Sequence, residues 1–144
     1  MVMIKIKKFH PDAVVPEYKT VGSAGADLVS VHDLDIQPGK VGIVSLGFSV
    51  SLPSGYEIQV RPRSGLAAVH AITVLNAPGT VDSDYRGPMS VLLINHGNQV
   101  FHVSKGDRVA QMILAEVCQA RFEEVEVLDE TERGKGGFGS TGRS

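Results

Sequence analysis

Short apolar runs separated by turn residues dominate the hydrophobic pattern of this chain of 144 residues. Residues 56–61 alternate strictly between apolar and polar side chains, which predicts a strand with one face in the core. Gly, Pro, Asn and Ser separate most of the other predicted strands, which are 4–7, 41–52, 89–94, 100–103, 108–118 and 122–127. The continuous apolar run at 89–94 predicts a strand buried on both faces.

Many short strands without a long helical period are typical of an all-β fold, here a jelly-roll barrel or sandwich. One short helix is predicted around 64–69, with Ser64 as its N-cap. The composition shifts at about residue 130, because residues 133–142 contain five glycines and glycine favours a flexible chain. We therefore predict a β domain at 1–130 and a flexible C-terminal arm at 131–144.

Charge and composition narrow the class of protein. A net charge of -2 argues against an electrostatic grip on nucleic acid, and the apolar run at 91–94 is too short to cross a membrane. The single cysteine, Cys118, excludes an internal disulfide and favours a reducing compartment. With no signal-peptide pattern and no zinc-ligand spacing among the histidines, the sequence predicts a soluble intracellular domain.

Residues 79–87 enclose a carboxylate and an aromatic ring between two glycines. If the middle is extended, Asp82 and Asp84 point to the same side, and Asp82 would be a base beside the stacking ring of Tyr85. The alternative is an ordinary polar turn in which Asp84 and Arg86 form a surface pair of little energetic consequence.

Two further segments suit an anion. Arg63 stands just before the predicted helix start, where free N–H groups and a planar guanidinium favour phosphate, and Gly65 allows close backbone approach. The alternative is a helix cap with an exposed arginine. Gln111 lies between apolar neighbours in a predicted strand, where it either binds a ligand or is satisfied within the protein.

The glycine-rich arm carries an arginine, a lysine, an aromatic ring and two hydroxyl groups, which together suit phosphates and a flat base. It is either a segment that orders around a nucleotide or a frayed tail. It is not a phosphate-binding P-loop, since Lys135 is followed by Gly136 rather than by Ser or Thr.

Taken together and in order, five segments resemble the five motifs of the homotrimeric deoxyuridine triphosphatase (dUTPase) family. They are residues 24–28, 63–67, 79–87, 106–113 and 133–142. The resemblance implies a β jelly roll, a homotrimer with shared active sites, and hydrolysis of dUTP to dUMP and pyrophosphate with Mg²⁺. That reaction would keep uracil out of DNA and supply dUMP for thymidylate synthesis.

The resemblance also implies roles for individual residues. Asp82 would be the general base for the water that attacks the α-phosphorus, and Tyr85 would pack under the deoxyribose, where a 2′-hydroxyl would clash. Asp27 would brace Arg63 or the waters around Mg²⁺. The uracil edge would be read by Asn76 and by backbone groups of Gly79, Thr80 and Val81, with Ser90 beside them, although side chains vary at 89 and 90.

The remaining implied contacts are with the phosphates and the base. In the β domain the phosphates would be held by Arg63, Ser64, Gly65 and Gln111. In the arm, Phe138 would cover the uracil, and the other substrate-binding residues would be Arg133, Gly139, Ser140 and Thr141. Mg²⁺ and arginines would offset the phosphate charge that repels a carboxylate base. Because Mg²⁺ keeps several waters and takes phosphate ligands, it would be held through the substrate, without direct protein ligands.

Two other functions fit parts of the pattern. A dCTP deaminase, or a bifunctional deaminase and dUTPase, would share the fold, but its third motif differs around the aspartate and its chemistry needs a glutamate base. Glu57 is the main strand candidate for that base. A non-catalytic binding or capsid-like jelly roll would explain the strands but not the five segments together.

Overall fold

The computed structural model describes residues 1–142, in which ten strands and one helix occur. The strands are β1 (Lys5–Lys8), β2 (Ala26–Val29), β3 (Leu34–Ile36), β4 (Val41–Ser51), β5 (Tyr56–Arg61), β6 (Ile72–Val74), β7 (Gly79–Val81), β8 (Pro88–Asn95), β9 (Phe101–Val103) and β10 (Arg108–Glu116). The helix α1 spans Ser64–His70. The predicted all-β class with one short helix is confirmed.

Two antiparallel sheets of four strands share one hydrophobic core. Their strand orders are β1-β4-β8-β6 and β2-β10-β5-β7, and β3 pairs with β9 in a separate ribbon. Both sheets contribute residues with no exposed surface, including Leu28 and Ile58 from one and Leu46 and Phe48 from the other. Side chains that alternate along each strand therefore meet between the sheets, as in a jelly roll.

A bulge in β4 fixes the N-terminal segment to the first sheet. Gly47 has a φ of 73°, and the pairing of β4 with β8 shifts register between Ser45 and Ser49. The Gly47 carbonyl accepts hydrogen bonds from the backbone N–H groups of Phe9 (3.0 Å) and His10 (3.2 Å). A Cβ atom at Gly47 would lie only 2.7 Å from His10 Cβ, so both the backbone and the packing require glycine here.

The helix starts differently from the prediction. Arg63, not Ser64, is the N-cap residue: its backbone is extended and its carbonyl accepts a hydrogen bond from Ala67 N at 3.1 Å. The Ser64 side chain is therefore inside the first turn rather than ahead of it. No helix among residues 1–142 has the length and apolar character that a membrane span needs.

Two strand predictions are wrong in detail. β8 is buried on one face only, since Met89, Val91 and Leu93 are buried whereas Ser90 is exposed. The reason is that β8 belongs to an antiparallel sheet whose outer face this chain does not fully cover. The strand predicted at 122–127 is not formed, because among the described residues no strand pairs with it; Phe122 is 92% exposed.

Substituting Gly47 by alanine should destabilise the fold more than the same change at Gly39. Both residues have a φ of 73°, but a Cβ at Gly39 would meet nothing within 4 Å. The left-handed backbone should therefore lower the free energy of unfolding by about 1–2 kcal/mol in both variants. The contact with His10 should lower it by about a further 1–3 kcal/mol in Gly47→Ala only. Urea unfolding at one protein concentration measures both values, and equal losses would contradict this account of the bulge.

Candidate functional site

The turn that leads from β7, at the edge of the second sheet, to β8, in the first sheet, borders a cleft of about 270 Å³. β7 and β8 do not pair with each other; we call this space the hairpin cleft after its hairpin-shaped turn. β7 pairs with β5, with Gly79 opposite Val60. The cleft is mostly apolar with a few polar groups, a mixture typical of small-molecule sites. Its lining residues are Val60, Asn76, Gly79, Thr80, Val81, Asp82, Tyr85, Pro88, Met89, Ser90, Val91 and Leu92.

The Tyr85 ring forms one wall of the hairpin cleft, and hydrogen bonds hold both the backbone and the hydroxyl of this residue. Its backbone N–H donates to the Asp82 carbonyl at 3.2 Å and closes the turn. Its hydroxyl donates to the Pro88 carbonyl at 3.0 Å. The ring thereby lies directly over Gly87, where any Cβ atom would overlap the end of the ring.

Asp82 lies at the end of β7 with its side chain accessible to solvent. It lines the hairpin cleft and also a wider neighbouring groove of about 860 Å³, which Glu57 and Asp84 line as well. The residues after Asp82 form a turn, which is the alternative interpretation of this segment, and not an extended stretch. Within the described chain Arg86 does not pair with Asp84, because its guanidinium donates to the carbonyls of Ser83 (2.7 Å) and Tyr85 (2.8 Å).

A second cleft, of about 370 Å³, is built around one carboxylate and two guanidinium groups. The Asp27 oxygens lie 3.3 Å from Arg63 Nε and 3.2 Å from Arg108 Nη1, one oxygen for each arginine. Arg63 also donates to the Arg108 carbonyl at 3.1 Å. Arg63 is therefore held to β2 and β10 through its side chain and to the start of α1 through its carbonyl. We call this space the arginine cleft.

The arginine cleft carries excess positive charge. One carboxylate faces two guanidinium groups, and the nearby Lys19 is balanced by Glu17 at 3.2 Å. The Asp27 side chain is 15% exposed, whereas those of Arg63 and Arg108 are 28% and 47% exposed. Both guanidinium groups therefore retain accessible surface for a further anion, and their planar N–H groups match phosphate or carboxylate oxygens.

Gln111 joins the strands that build the arginine cleft. In the β10 register it stands opposite Asp27 of β2 and Arg61 of β5. Its side-chain amide donates to the Pro62 carbonyl at 2.9 Å and so fixes the segment that leads into Arg63. Gly25 makes room for it, since a Cβ atom there would overlap the Gln111 amide oxygen.

The structure gathers the predicted site residues of the β domain into two separate groups. Asp27, Arg63, Ser64, Gly65 and Gln111 line the arginine cleft, and Asn76, Gly79, Thr80, Val81, Asp82, Tyr85 and Ser90 line the hairpin cleft. The two clefts share no lining residue, because they belong to the opposite outer strands, β2 and β7, of one sheet.

The predicted arm residues join neither group among the described residues. Arg133 donates to the carbonyl of Gly136 at 2.9 Å, and Phe138 is fully exposed. Gly139, Ser140 and Thr141 are exposed as well. Residues 143 and 144, which the sequence analysis included in the arm, lie outside the described residues.

Sequence reasoning missed three residues of the site. Arg108 stands in the fourth segment, but only the register of β10 against β2 shows that it shares a carboxylate with Arg63. Gly25 and Gly87 matter through the side chains that fill the space beside them. A signal was present, since both glycines stand inside the segments that carry Asp27 and Tyr85.

Among residues 1–142, no group of three or more His, Cys, Asp or Glu side chains is arranged to hold a metal ion. Asp27 engages a guanidinium group with each of its oxygens. Asp82 is accessible but lacks a clustered set of partners.

Comparison with known proteins gives one consistent result. The sequence model of the dUTPase family matches residues 12–142. The deoxyuridine 5'-triphosphate nucleotidohydrolase of Nautilia profundicola is 54% identical over 97% of this chain and 99% of its own length. The enzyme of the same name from Helicobacter pylori strain P12 is also 54% identical, over 98% of this chain and 97% of its own.

Solved structures show the same fold. The dUTPase of Staphylococcus bacteriophage 80alpha, in complex with dUPNHPP, superposes with a TM-score of 0.91 over 98% of this chain and 99% of its own, at 22% identity. A variant dUTPase from phage phi11 of S. aureus, described with a structural Mg(II) ion, has a TM-score of 0.82 over 89% of this chain and 99% of its own, at 18% identity.

Proposed function

Because this chain belongs to the dUTPase family, we propose that it hydrolyses dUTP to dUMP and pyrophosphate. The observation that carries the proposal is the pair of clefts: one offers a carboxylate and a ring, and the other offers cationic groups for phosphates. The biological result would be the removal of a uracil source for DNA and the supply of dUMP for thymidylate synthesis.

The hairpin cleft suits the nucleoside part of the substrate. Asn76 and the backbone of residues 79–81 supply hydrogen-bonding groups for the uracil edge, and Ser90 lines the same space. Tyr85 offers a flat apolar face for the deoxyribose, where a 2′-hydroxyl would collide with the ring. These groups would select the base by hydrogen bonding and the sugar by shape.

The arginine cleft suits the phosphates. Arg63 supplies the planar guanidinium, and Ser64 and Gly65 supply the adjoining backbone and hydroxyl. Gln111 would supply the amide hydrogen that does not bond to Pro62. Asp27 would act as a positioning residue, since it holds Arg63 at 3.3 Å and leaves more than a quarter of that side chain exposed. Fixed donors of this kind stabilise charge that develops in the transition state.

Asp82 would take the proton of the attacking water. Its carboxylate is accessible and lies beside the ring that would hold the sugar. A positioned general base typically contributes about 10²–10⁴-fold to a rate. Attack would occur at the α-phosphorus, so that the bond to the pyrophosphate leaving group breaks.

The side chains present fit Mg²⁺ carried by the nucleotide rather than a resident ion. Both Asp27 oxygens already face guanidinium groups, and phosphate oxygens with water are the ligands that Mg²⁺ normally uses in such sites. When bound, Mg²⁺ would reduce the negative charge of the phosphates. Asp27 and Asp82 would be the carboxylates available to its coordinated waters.

We infer a homotrimer in which two subunits complete each site. Within one chain the clefts are separated by three strand spacings, roughly 14 Å at about 4.8 Å per strand. The hairpin cleft of one subunit would instead lie beside the arginine cleft of the next. Residues 117–128 offer apolar surface for such contacts, with Phe122, Val127 and Leu128 all more than three-quarters exposed.

The C-terminal arm would close over the bound nucleotide. Its glycines permit a large change of backbone conformation, and Phe138 is exposed and free to stack on the uracil. Arg133, Ser140 and Thr141 would reach the β- and γ-phosphates, with Gly139 between them. A closed arm would exclude water other than the reacting one.

The test of the function is pyrophosphate release from dUTP, dTTP, dCTP and UTP with Mg²⁺. We expect release from dUTP and little from the other three, because the base and sugar contacts reject them. Ammonia should be measured with dCTP in parallel. Ammonia release would indicate the deaminase alternative, and intact dUTP would refute the proposed function.

Replacing Asp82 by asparagine should sharply lower turnover and leave substrate binding nearly unchanged. The substitution keeps the shape of the side chain but removes the base, so hydrolysis should fall by about 10²–10⁴-fold. Affinity for dUPNHPP, measured by calorimetry, should stay within about tenfold. Asp84→Asn is the matched control, since Asp84 lines the wide groove but not the hairpin cleft. Equal activity in the two variants would remove Asp82 from its role.

Deleting residues 131–144 should lower turnover while the oligomer persists. Without the arm the phosphates lose contacts and water enters, and misplacement of this kind can cost on the order of a hundredfold in rate. Light scattering after size exclusion gives the oligomeric state. A truncated protein that became monomeric would show that the arm is a structural element rather than a lid.

A further inference from the structure

We propose that Gly87 determines the preference for a 2′-deoxy sugar, because its missing side chain lets the Tyr85 ring lie across the backbone as a wall of the hairpin cleft. The inference rests on the proposed function, in which that ring faces the deoxyribose. Gly87 contacts no part of the nucleotide in this account. It is a positioning residue that acts through Tyr85.

The geometry shows that the ring, and not the backbone, requires glycine at position 87. Gly87 is outside the left-handed φ range that disfavours other residues, unlike Gly47 or Gly55. A Cβ atom added to it would overlap the Tyr85 Oη and Cζ atoms and lie 2.9 Å from Cε2. Alanine would therefore fit the chain at this position but not the ring above it.

The ring cannot adjust to such a contact by a small movement. The overlapped atoms are the far end of a rigid aromatic ring, which moves as a unit about two side-chain torsions. Its hydroxyl is also anchored on the Pro88 carbonyl at 3.0 Å. Relief of the overlap requires the loss of that hydrogen bond and a rotation of the whole ring.

The Tyr85 ring can move into solvent, because this residue is 44% exposed. An alanine at position 87 should move the ring toward solvent and leave the backbone of the turn between β7 and β8 in place. The hairpin cleft would then lose the wall that excludes a 2′-hydroxyl. The substitution should therefore raise the activity toward ribonucleotides relative to that toward dUTP. Turnover of dUTP should fall by a smaller factor than the preference for dUTP over UTP.

The experiment is a double-mutant cycle on selectivity, defined as the ratio of kcat/KM for dUTP to kcat/KM for UTP. The proteins are wild type, Gly87→Ala, Tyr85→Ala and the double variant. Gly87→Ala should lower the ratio by about 10–100-fold, the range for a single shape contact in a pocket. In the Tyr85→Ala background the same change should alter the ratio by less than about twofold, since no ring remains to collide.

Gly22→Ala is the matched control. Gly22 lies outside both clefts, and an added Cβ there would meet nothing within 4 Å. This variant should keep the wild-type ratio. Tyr85→Phe adds a second variant that retains the ring and removes the anchor on Pro88; it should lower the ratio less than Gly87→Ala does.

Each outcome decides the inference. An unchanged ratio in Gly87→Ala would overturn it, as would an equal effect of that substitution with and without the Tyr85 ring. Unfolding of Gly87→Ala would overturn it too, because the exposed ring is expected to move instead of the backbone. Wild-type protein that leaves dUTP intact would refute the proposed function as well, whereas an unchanged ratio in a Gly87→Ala variant that still hydrolyses dUTP refutes this inference alone.

Discussion

The pairing of β10 with two neighbours is the constraint on which the arginine cleft depends. β10 bonds to β2 along one edge and to β5 along the other. This double pairing sets Gln111 opposite Asp27, and it brings Arg108 within reach of the same carboxylate. A shift of one residue in either register would turn Gln111 to the other face of the sheet. Backbone hydrogen bonding between the strands therefore places the charged residues of the cleft, and the ion pairs form between residues that the strands have already brought together.

Glycines, which have no side chain, shape both clefts as much as the side chains that line them. Gly25 leaves space for Gln111, Gly79 lies close under Asn76, and Gly87 lies under the Tyr85 ring. Each glycine lies in a segment that carries functional groups, and it accommodates a side chain of the same segment (Tyr85) or of another part of the chain (Gln111 and Asn76). Close packing makes such gaps specific, since even one added carbon is felt where neighbours cannot move. Glycine in these segments is explained by contact rather than only by turn geometry.

The sequence predicted the fold class and most strands, because periodicity of two and turn residues are local properties. The prediction for 56–61 matches β5. The predicted burial of 89–94 on both faces and the predicted strand at 122–127 were wrong, because burial and strand pairing depend on which surfaces come together. The five segments predicted the family, which the comparisons confirm, and they predicted site residues, whose roles stay a prediction. They could not show that one carboxylate serves two arginines, nor that the segments form two clefts, since both facts depend on strand register. The contact of Arg108 with Asp27 is one of the features that depend on strand register and that the sequence could not show.

The absence of a common lining residue between the two clefts has a genetic consequence. In an oligomer of the proposed kind, a subunit with an inactivating substitution at Asp82 still contributes an intact arginine cleft. A subunit with an inactivating substitution at Arg63 still contributes an intact hairpin cleft. Coexpression of two such inactive alleles would produce mixed oligomers. A fraction of their sites would combine the intact cleft of each subunit and would therefore be active. Lesions in the two regions would then complement each other, whereas two lesions within the same region would not.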